Sequence, residues 1–319
     1  MNNIRHYSGL LDIENNFDIF VFDAYGVFYK GDGFFENSLD VMKKLVSDGK
    51  IVCVLSNSPK MSEESIESYD KKGLIRGIHY TEFISSGTIV NHALNNNEVK
   101  FKTNPNAKNV YVCSDSNKII FKNTDYNVVN DPKDSDFILL SSLPFDNDEY
   151  EMLKNSYGEY LFYDKMRNRW RATILEPYCE KLDNLLSFNV PFLNPNPDYS
   201  AAEHVDGGDC QFLITQGSFA KYLKDKGAEV IEIGKPYEIA YNYLFDVLEK
   251  NNVKVDKERT CMIGDTVRTD VKGANNAGIK SVLCIKTGVT AKYISDGGTL
   301  EELIAHEKVI VDYTINSVG

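Results

Sequence analysis

The sequence predicts an α/β fold, with a doubly wound parallel-sheet core built from both ends of the chain and an α+β domain inserted between them. Three observations carry that prediction. Short apolar, β-branched runs alternate with helical patterns over the first part of the chain, and the same alternation resumes near its end. Between them, over roughly 107–227, short strand-like runs are broken by turns rich in Asn, Asp and Pro. The expected division is therefore a core of 1–106 and 228–319 and a cap-like insertion of 107–227.

Taken in order, "DIFVFD" (18–23) is the first buried strand, and Leu39, Met42, Leu45 and Val46 mark one face of a helix over 38–48. Gly49 is placed to end that helix in the left-handed conformation, before the strand "KIVCVLSN" (50–57). A second helix follows Pro59 from Ser62 to about Lys72, with Glu63 and Glu64 in its first turn, where acidic groups suit the helix dipole. Inside the insertion, "NVYVCSD", "KIIF" and "DFILLSS" read as strands, and 147–155 and 178–187 as helices. The late alternation runs "AEVIEIG" (228–234), a helix over 237–250, "CMIGD" (261–265), a helix near 269–277 and "KSVLCIK" (280–286). A helix opened by a Thr299–Glu302 capping box and "KVIVDYTI" (308–315) complete it.

The chain has 319 residues, more than the roughly 100–200 of one domain, and 42% of them are hydrophobic, enough for two packed units. A net charge of −12 opposes binding to the polyanionic backbone of nucleic acid. Cys53, Cys113, Cys261 and Cys284 sit in apolar runs and no C-x-x-C pair exists, so buried free thiols in a reducing compartment are expected rather than a zinc site. The five histidines show no ligand spacing. No run approaches the ~20 apolar residues of a membrane span, and the first residues lack a signal-peptide pattern, so a cytoplasmic location is expected.

Ligands of open α/β sheets lie at the carboxyl ends of the strands, so the strand-ending residues are the candidates for chemistry. "VFDAYG", "VLSNS", "IGKP" and "MIGDTVRTD" offer a carboxylate at Asp23, a hydroxyl and amides at Ser56 and Asn57, a cation at Lys235, and carboxylates at Asp265 and Asp270. That set suits phosphoryl transfer to an aspartate. Two anions must meet for such a reaction, and Mg²⁺ with a lysine cancels their repulsion.

The order D-x-x-G, S-N, G-K-P and G-D-x-x-x-x-D resembles the haloacid-dehalogenase-like (HAD) hydrolase superfamily over nearly the whole chain, which implies a Rossmann-like core. Asp23 and Ser56 lie 33 positions apart while 178 separate Asn57 from Lys235, and that placement of the insertion is similar to class IIA, the p-nitrophenyl phosphatase and N-acetylglucosamine-operon phosphatase group. "DAYGVFYKG", "GKPYEIAY" and "MIGDTVRTDVKGANNAGIKSVLCIKTGVT" carry the resemblance most specifically, and "NPNPDYS" (194–200) is similar to the Asn-Pro-Asp element of the cap. The resemblance implies a nucleophile at Asp23 and Mg²⁺ held by Asp23, Asp265, Asp270 and the Tyr25 carbonyl. It also implies phosphate binding by Ser56, Asn57 and Lys235, cap residues Asn196 and Asp198 near substrate, and frequent homodimers.

The sequence departs from the family at Tyr25, where active phosphatases carry an aspartate that protonates the leaving group and activates water. The leading expectation is an Mg²⁺-dependent phosphatase acting on a small phosphorylated metabolite. The rival is a phosphate-ligand binding or regulatory protein that has lost turnover. Asp-x-Tyr-Gly is also similar to the opening of 2-haloacid dehalogenases, but these use no metal and place their cap between the first two motifs. Lys165, Arg167, Arg169 and Arg171 flank Trp170, the single tryptophan, and read as a solvated strand face with the indole packed behind, or as an anion-binding patch.

Overall fold

The computed structural model describes residues 4–164, 168–204 and 210–319. Four strands come first, β1 (Arg5–Tyr7), β2 (Ile19–Phe22), β3 (Ile51–Ser56) and β4 (Glu82–Ser85). Nine follow: β5 (Asn109–Val112), β6 (Asn127–Val129), β7 (Phe137–Leu139), β8 (Leu161–Asp164), β9 (Arg169–Ala172), β10 (Phe192–Asn194), β11 (Ser200–His204), β12 (Cys210–Ile214) and β13 (Val230–Glu232). The last three are β14 (Thr260–Gly264), β15 (Lys280–Cys284) and β16 (Tyr313–Ile315). Two compact units divide them: 1–56, 62–85 and 234–319 form the first, and 57–61 with 86–233 form the second.

The first unit holds a seven-stranded parallel sheet in the order β1-β16-β15-β14-β2-β3-β4. Parallel strands covered on both faces need continuous apolar runs, and every residue of β2 and β14 is buried. From the β2–β14 pair chain order runs outward through β3 and β4 on one side and through β15 and β16 on the other, with β1 added at that edge, so the pair is the topological switch point of the sheet. Helix Ser38–Ser47 packs Val41, Met42 and Leu45 into this core, and Gly49, at φ 78°, ends it as its position in the sequence predicts.

The second unit has its own parallel sheet, β13-β10-β7-β5-β6, and two antiparallel hairpins, β8–β9 and β11–β12. The expected α+β character is confined to the hairpins; the principal sheet is α/β. Its core gathers Ile138, Leu140, Phe145, Leu182, Phe192 and Phe219.

The boundaries differ from the expected 106/107 and 227/228. β13 pairs with β10, so the "AEVIEIG" run belongs to the second sheet and not the first. The Glu229 carboxylate accepts from the Lys102 and Thr103 amides, and Asn91 Nδ2 donates to the Ile120 and Lys122 carbonyls, which draws 86–106 into the second unit. "KIIF" lies in a 3₁₀ helix, Asp115–Phe121, because Ile120 and Phe121 are both buried and their pairing breaks strand alternation. Asp312 Oδ2 accepts from the Ser281 amide and hydroxyl, a side-chain bridge in place of ladder bonds, so only Tyr313–Ile315 of "KVIVDYTI" is strand.

Candidate active site

Asp23 follows β2 and Asp265 follows β14, so the switch point places two carboxylates side by side. The Asp23 amide donates to the Ile263 carbonyl at 2.8 Å, which carries the ladder one residue past the strand and fixes that adjacency. Beyond Asp23 the chain folds back on itself: Phe28 and Tyr29 donate to the Ala24 carbonyl, and Gly26, at φ 78°, donates to the Tyr29 carbonyl. Asp265 Oδ2 accepts from the Val289 amide at 2.6 Å, and its Oδ1 from the Thr266 hydroxyl at 3.2 Å. Asp270 lies in a π-helical turn, Val267–Val271, that opens the helix predicted near 269–277. The turn aims Asp270 Oδ2 at the Asp265 and Thr266 amides, 3.2 and 3.0 Å away.

Lys235 links the set. Its ammonium is 2.6 Å from Asp23 Oδ1 and 2.8 Å from Asp270 Oδ1, and its side chain is only 1% exposed. The carboxylate oxygens of Asp23, Asp265 and Asp270 lie within 4.8 Å of one another. Among the described residues three carboxylates gather around one ammonium, an excess of acidic groups in a largely buried space. Each like-charged pair at such range costs about 4 kcal/mol at an effective dielectric of ~20. An all-oxygen set with that excess suits a hard divalent cation.

Two family models match the chain: a haloacid dehalogenase-like hydrolase model over residues 20–126 and a HAD-hydrolase-like model over 232–314, so together they span the strand ends that build this site. The chain belongs to the haloacid-dehalogenase-like hydrolase superfamily. Over 99% of its length it is 26% identical to the 4-nitrophenylphosphatase of Schizosaccharomyces pombe, covering 95% of that protein. It is 24% identical to phosphoglycolate phosphatase 2 of Arabidopsis thaliana over 89% of this chain and 88% of that one. In fold it is similar to a HAD-like hydrolase from Brucella suis (TM-score 0.74, 20% identity, 98% and 100% of the two chains covered). A 4-nitrophenylphosphatase from Thermotoga maritima is also similar (TM-score 0.58, 20% identity, 96% and 97% covered). The second unit, entered after the first four strands and left at Ile233, has the class IIA placement.

In this HAD-like hydrolase, Asp23, Lys235, Asp265 and Asp270 come together, and Ser56 ends the strand next to β2, buried and paired with Ser85. Tyr25 is half-buried, its ring edge-on to Tyr29 with centroids 5.2 Å apart. Asn57 falls in the second unit, where Nδ2 donates to Asp198 Oδ1 at 3.0 Å. Asn196 Oδ1 accepts from the Asp198 amide, and its Nδ2 donates to Gln216. Lys165 and Arg167 lie outside the described residues. Arg171 is buried, contrary to a solvated face, and Trp170 stacks on Tyr150 with centroids 3.7 Å apart.

The supports of Asp265 are not among the residues the motifs single out. A methyl group on Gly288 would lie 1.8 Å from Asp265 Oδ2, and one on Gly26 2.2 Å from it. Both glycines have positive φ, 66° and 78°, so the two loops close on one carboxylate oxygen. The signal was available, since Gly288 follows a strand end in "IKTGVT" as Gly26 follows one in "DAYG".

Proposed function

We propose that this HAD-like protein is a magnesium-dependent phosphatase that hydrolyses a small phosphorylated metabolite through an aspartyl-phosphate at Asp23. The observation that carries this is Lys235, buried between Asp23 and Asp270 with Asp265 alongside, at the switch point of a parallel sheet. The phosphatase names of the full-length relatives support it.

Asp23 is the least enclosed of the three acids, its side chain 15% exposed, and the others are held by amides, so it is the one oriented to attack phosphorus. Its oxygen forms the new P–O bond while the ester P–O bond breaks and the electron pair leaves with the departing oxygen. Water then attacks the phosphorus, phosphate departs and the carboxylate is regenerated. Lys235 keeps Asp23 in its attacking rotamer and, with the Ser56 hydroxyl, donates to phosphoryl oxygens where charge develops. Asp23, Asp265, Asp270 and the Tyr25 carbonyl would hold Mg²⁺, which supplies positive charge against which two anions meet.

Chelation tests the metal directly. EDTA-treated protein is expected to lose hydrolysis of p-nitrophenyl phosphate and to regain it with Mg²⁺, while acid-quenched holoprotein carries one phosphoryl group on the peptide containing Asp23. Hydrolysis undiminished in EDTA, or a phosphoryl group on any other residue, refutes the mechanism. Phosphorylation without turnover on any metabolite ester would instead favour a binding or regulatory role, the reading that Tyr25 supports.

The glycine pair makes a second prediction. Gly288→Ala crowds the Asp265 oxygen and is expected to weaken Mg²⁺ binding by roughly 10- to 100-fold, the usual cost of disturbing a ligand's supports. Gly297 has a positive φ of 98° and no atom within 4 Å of an added methyl, so Gly297→Ala carries the backbone strain without the crowding. Calorimetric titration with Mg²⁺ should separate the two variants; equal affinities would show that strain, not contact with Asp265, is what matters.

A further inference from the structure

Asp270 meets Lys235 through the way its turn sits on the end of β14. The Asp270 amide donates to the Thr266 carbonyl at 3.0 Å and the Val271 amide to the same carbonyl at 3.4 Å, the wider winding of a π turn. That winding brings the Asp270 side chain against Gly264, the last residue of β14. A methyl group on Gly264 would lie 2.1 Å from Asp270 Cβ and 2.3 Å from both its Cγ and its Oδ2, so its three nearest neighbours are all atoms of that one side chain. Gly264 is a strand residue without a positive φ, so space, and not backbone conformation, demands glycine here.

Neither side of this contact has room to give way. Val267 and Val271 anchor the turn in a core with Leu283 and Val311. Just past the turn, Gly273 in helix Lys272–Ala277 lies against Tyr241: a methyl there would come within 2.4 Å of the phenol oxygen, and Tyr241 is 0% exposed. The helix therefore abuts a buried ring, while Gly264 belongs to a strand paired on both sides, with β2 and with β15. A side chain at Gly264 would displace the Asp270 carboxylate, which would give up the Asp265 and Thr266 amides through Oδ2 and Lys235 through Oδ1.

We propose that Gly264 is a positioning residue for Lys235: its missing side chain is the seat of Asp270, and the seated carboxylate holds the ammonium that orients Asp23. The contacts run from Gly264 to Asp270, from Asp270 Oδ1 to Lys235 Nζ at 2.8 Å, and from Lys235 Nζ to Asp23 Oδ1 at 2.6 Å. The consequence for turnover rests on the phosphatase reading above; the consequence for Lys235 does not.

The test compares Gly264→Ala with Gly298→Ala, Asp270→Gly and the double variant Gly264→Ala/Asp270→Gly. Gly298 is the control, since a methyl there would be equally crowded, 2.1 Å from the ring of Tyr293, whose side chain is exposed. The first readout is the NMR signal of the Lys235 ammonium in the metal-free chain, assigned by its absence in Lys235→Met; such protons are seen when burial and hydrogen bonding slow their exchange. Wild type and Gly298→Ala should show the signal, and Gly264→Ala should lose it. The second readout is kcat on p-nitrophenyl phosphate at saturating Mg²⁺, expected to fall roughly 10- to 100-fold in Gly264→Ala, the usual cost of disturbing the supports of a functional group, and to stay within about twofold of wild type in Gly298→Ala. In the Asp270→Gly background the methyl no longer meets a side chain, so the double variant should fold and match Asp270→Gly within about twofold, even where Gly264→Ala alone does not fold. An unchanged signal or unchanged turnover in Gly264→Ala, a loss of fold or activity that recurs in the Asp270→Gly background, or an equal loss in Gly298→Ala overturns the proposal. Failure of the phosphatase reading looks different: the Lys235 signal follows Gly264 as expected, while neither wild type nor any variant carries a phosphoryl group on Asp23.

Discussion

Asp23→Asn is expected to abolish turnover, a loss of at least about 10⁴-fold in kcat, because a neutral amide oxygen cannot take phosphorus and, among the described residues, no neighbouring carboxylate is placed to substitute for it. Asp265 and Asp270 are held by the amides of Val289 and of Asp265 and Thr266, so neither swings into the vacant role without breaking buried hydrogen bonds. The same substitution has an opposite effect on the resting protein. It removes one of three clustered carboxylates, two of which share the Lys235 ammonium, while the amide oxygen still accepts from Lys235. The metal-free variant should therefore melt at or above the wild-type temperature, and added Mg²⁺ should stabilise it less. Parallel kinetics and melting curves, with and without Mg²⁺, check both halves. Retained turnover would remove Asp23 from the mechanism; a lower melting point without metal would mean that the three carboxylates do not repel one another as their spacing implies.

The parts of this site that lie at strand ends were legible in the sequence, for a physical reason. A strand buried on both faces must be apolar throughout, so the first polar residue at or just past its carboxyl end marks where the apolar run stops, and Asp23, Ser56 and Asp265 each stand there. The insertion was legible as a change in pattern, but its edges were not. Val230–Glu232 is a three-residue strand, and nothing in so short a run says whether it will pair with β10 or with the other sheet. Its allegiance is fixed by partners distant in sequence, such as the Asn194–Glu232 hydrogen bond. Asn196 illustrates the limit in another way. Asn beside Pro serves equally as a turn residue or a ligand, and the bonds Asn196 makes to Gln216 and the Asp198 amide depend on partners that only the fold brings together. The glycines around Asp265 were visible as letters, but their contact with one oxygen joins loops more than 200 residues apart.

Lys235 tests the electrostatic argument from the other side. Lys235→Met keeps much of the side-chain volume and deletes the only ammonium that contacts Asp23 and Asp270 among the described residues. Removing one partner from a buried ion pair typically costs about 3–5 kcal/mol, since the remaining charge stays desolvated and unpaired. Here two carboxylates lose their partner at once, so metal-free Lys235→Met should be destabilised by at least that amount. A divalent cation among the same carboxylates offsets much of the loss, so the Mg²⁺-induced rise in melting temperature should exceed that of wild type, the reverse of the Asp23→Asn result. Catalysis should nevertheless fall, by roughly 10²- to 10³-fold, because metal restores the net charge but not the donor aimed at the phosphoryl oxygens or the contact that orients Asp23. Stability rescued by Mg²⁺ with activity unrescued is the expected signature. Full recovery of both would reduce Lys235 to a counter-ion, and a metal-free variant as stable as wild type would mean that the carboxylates are not charged together in the folded protein.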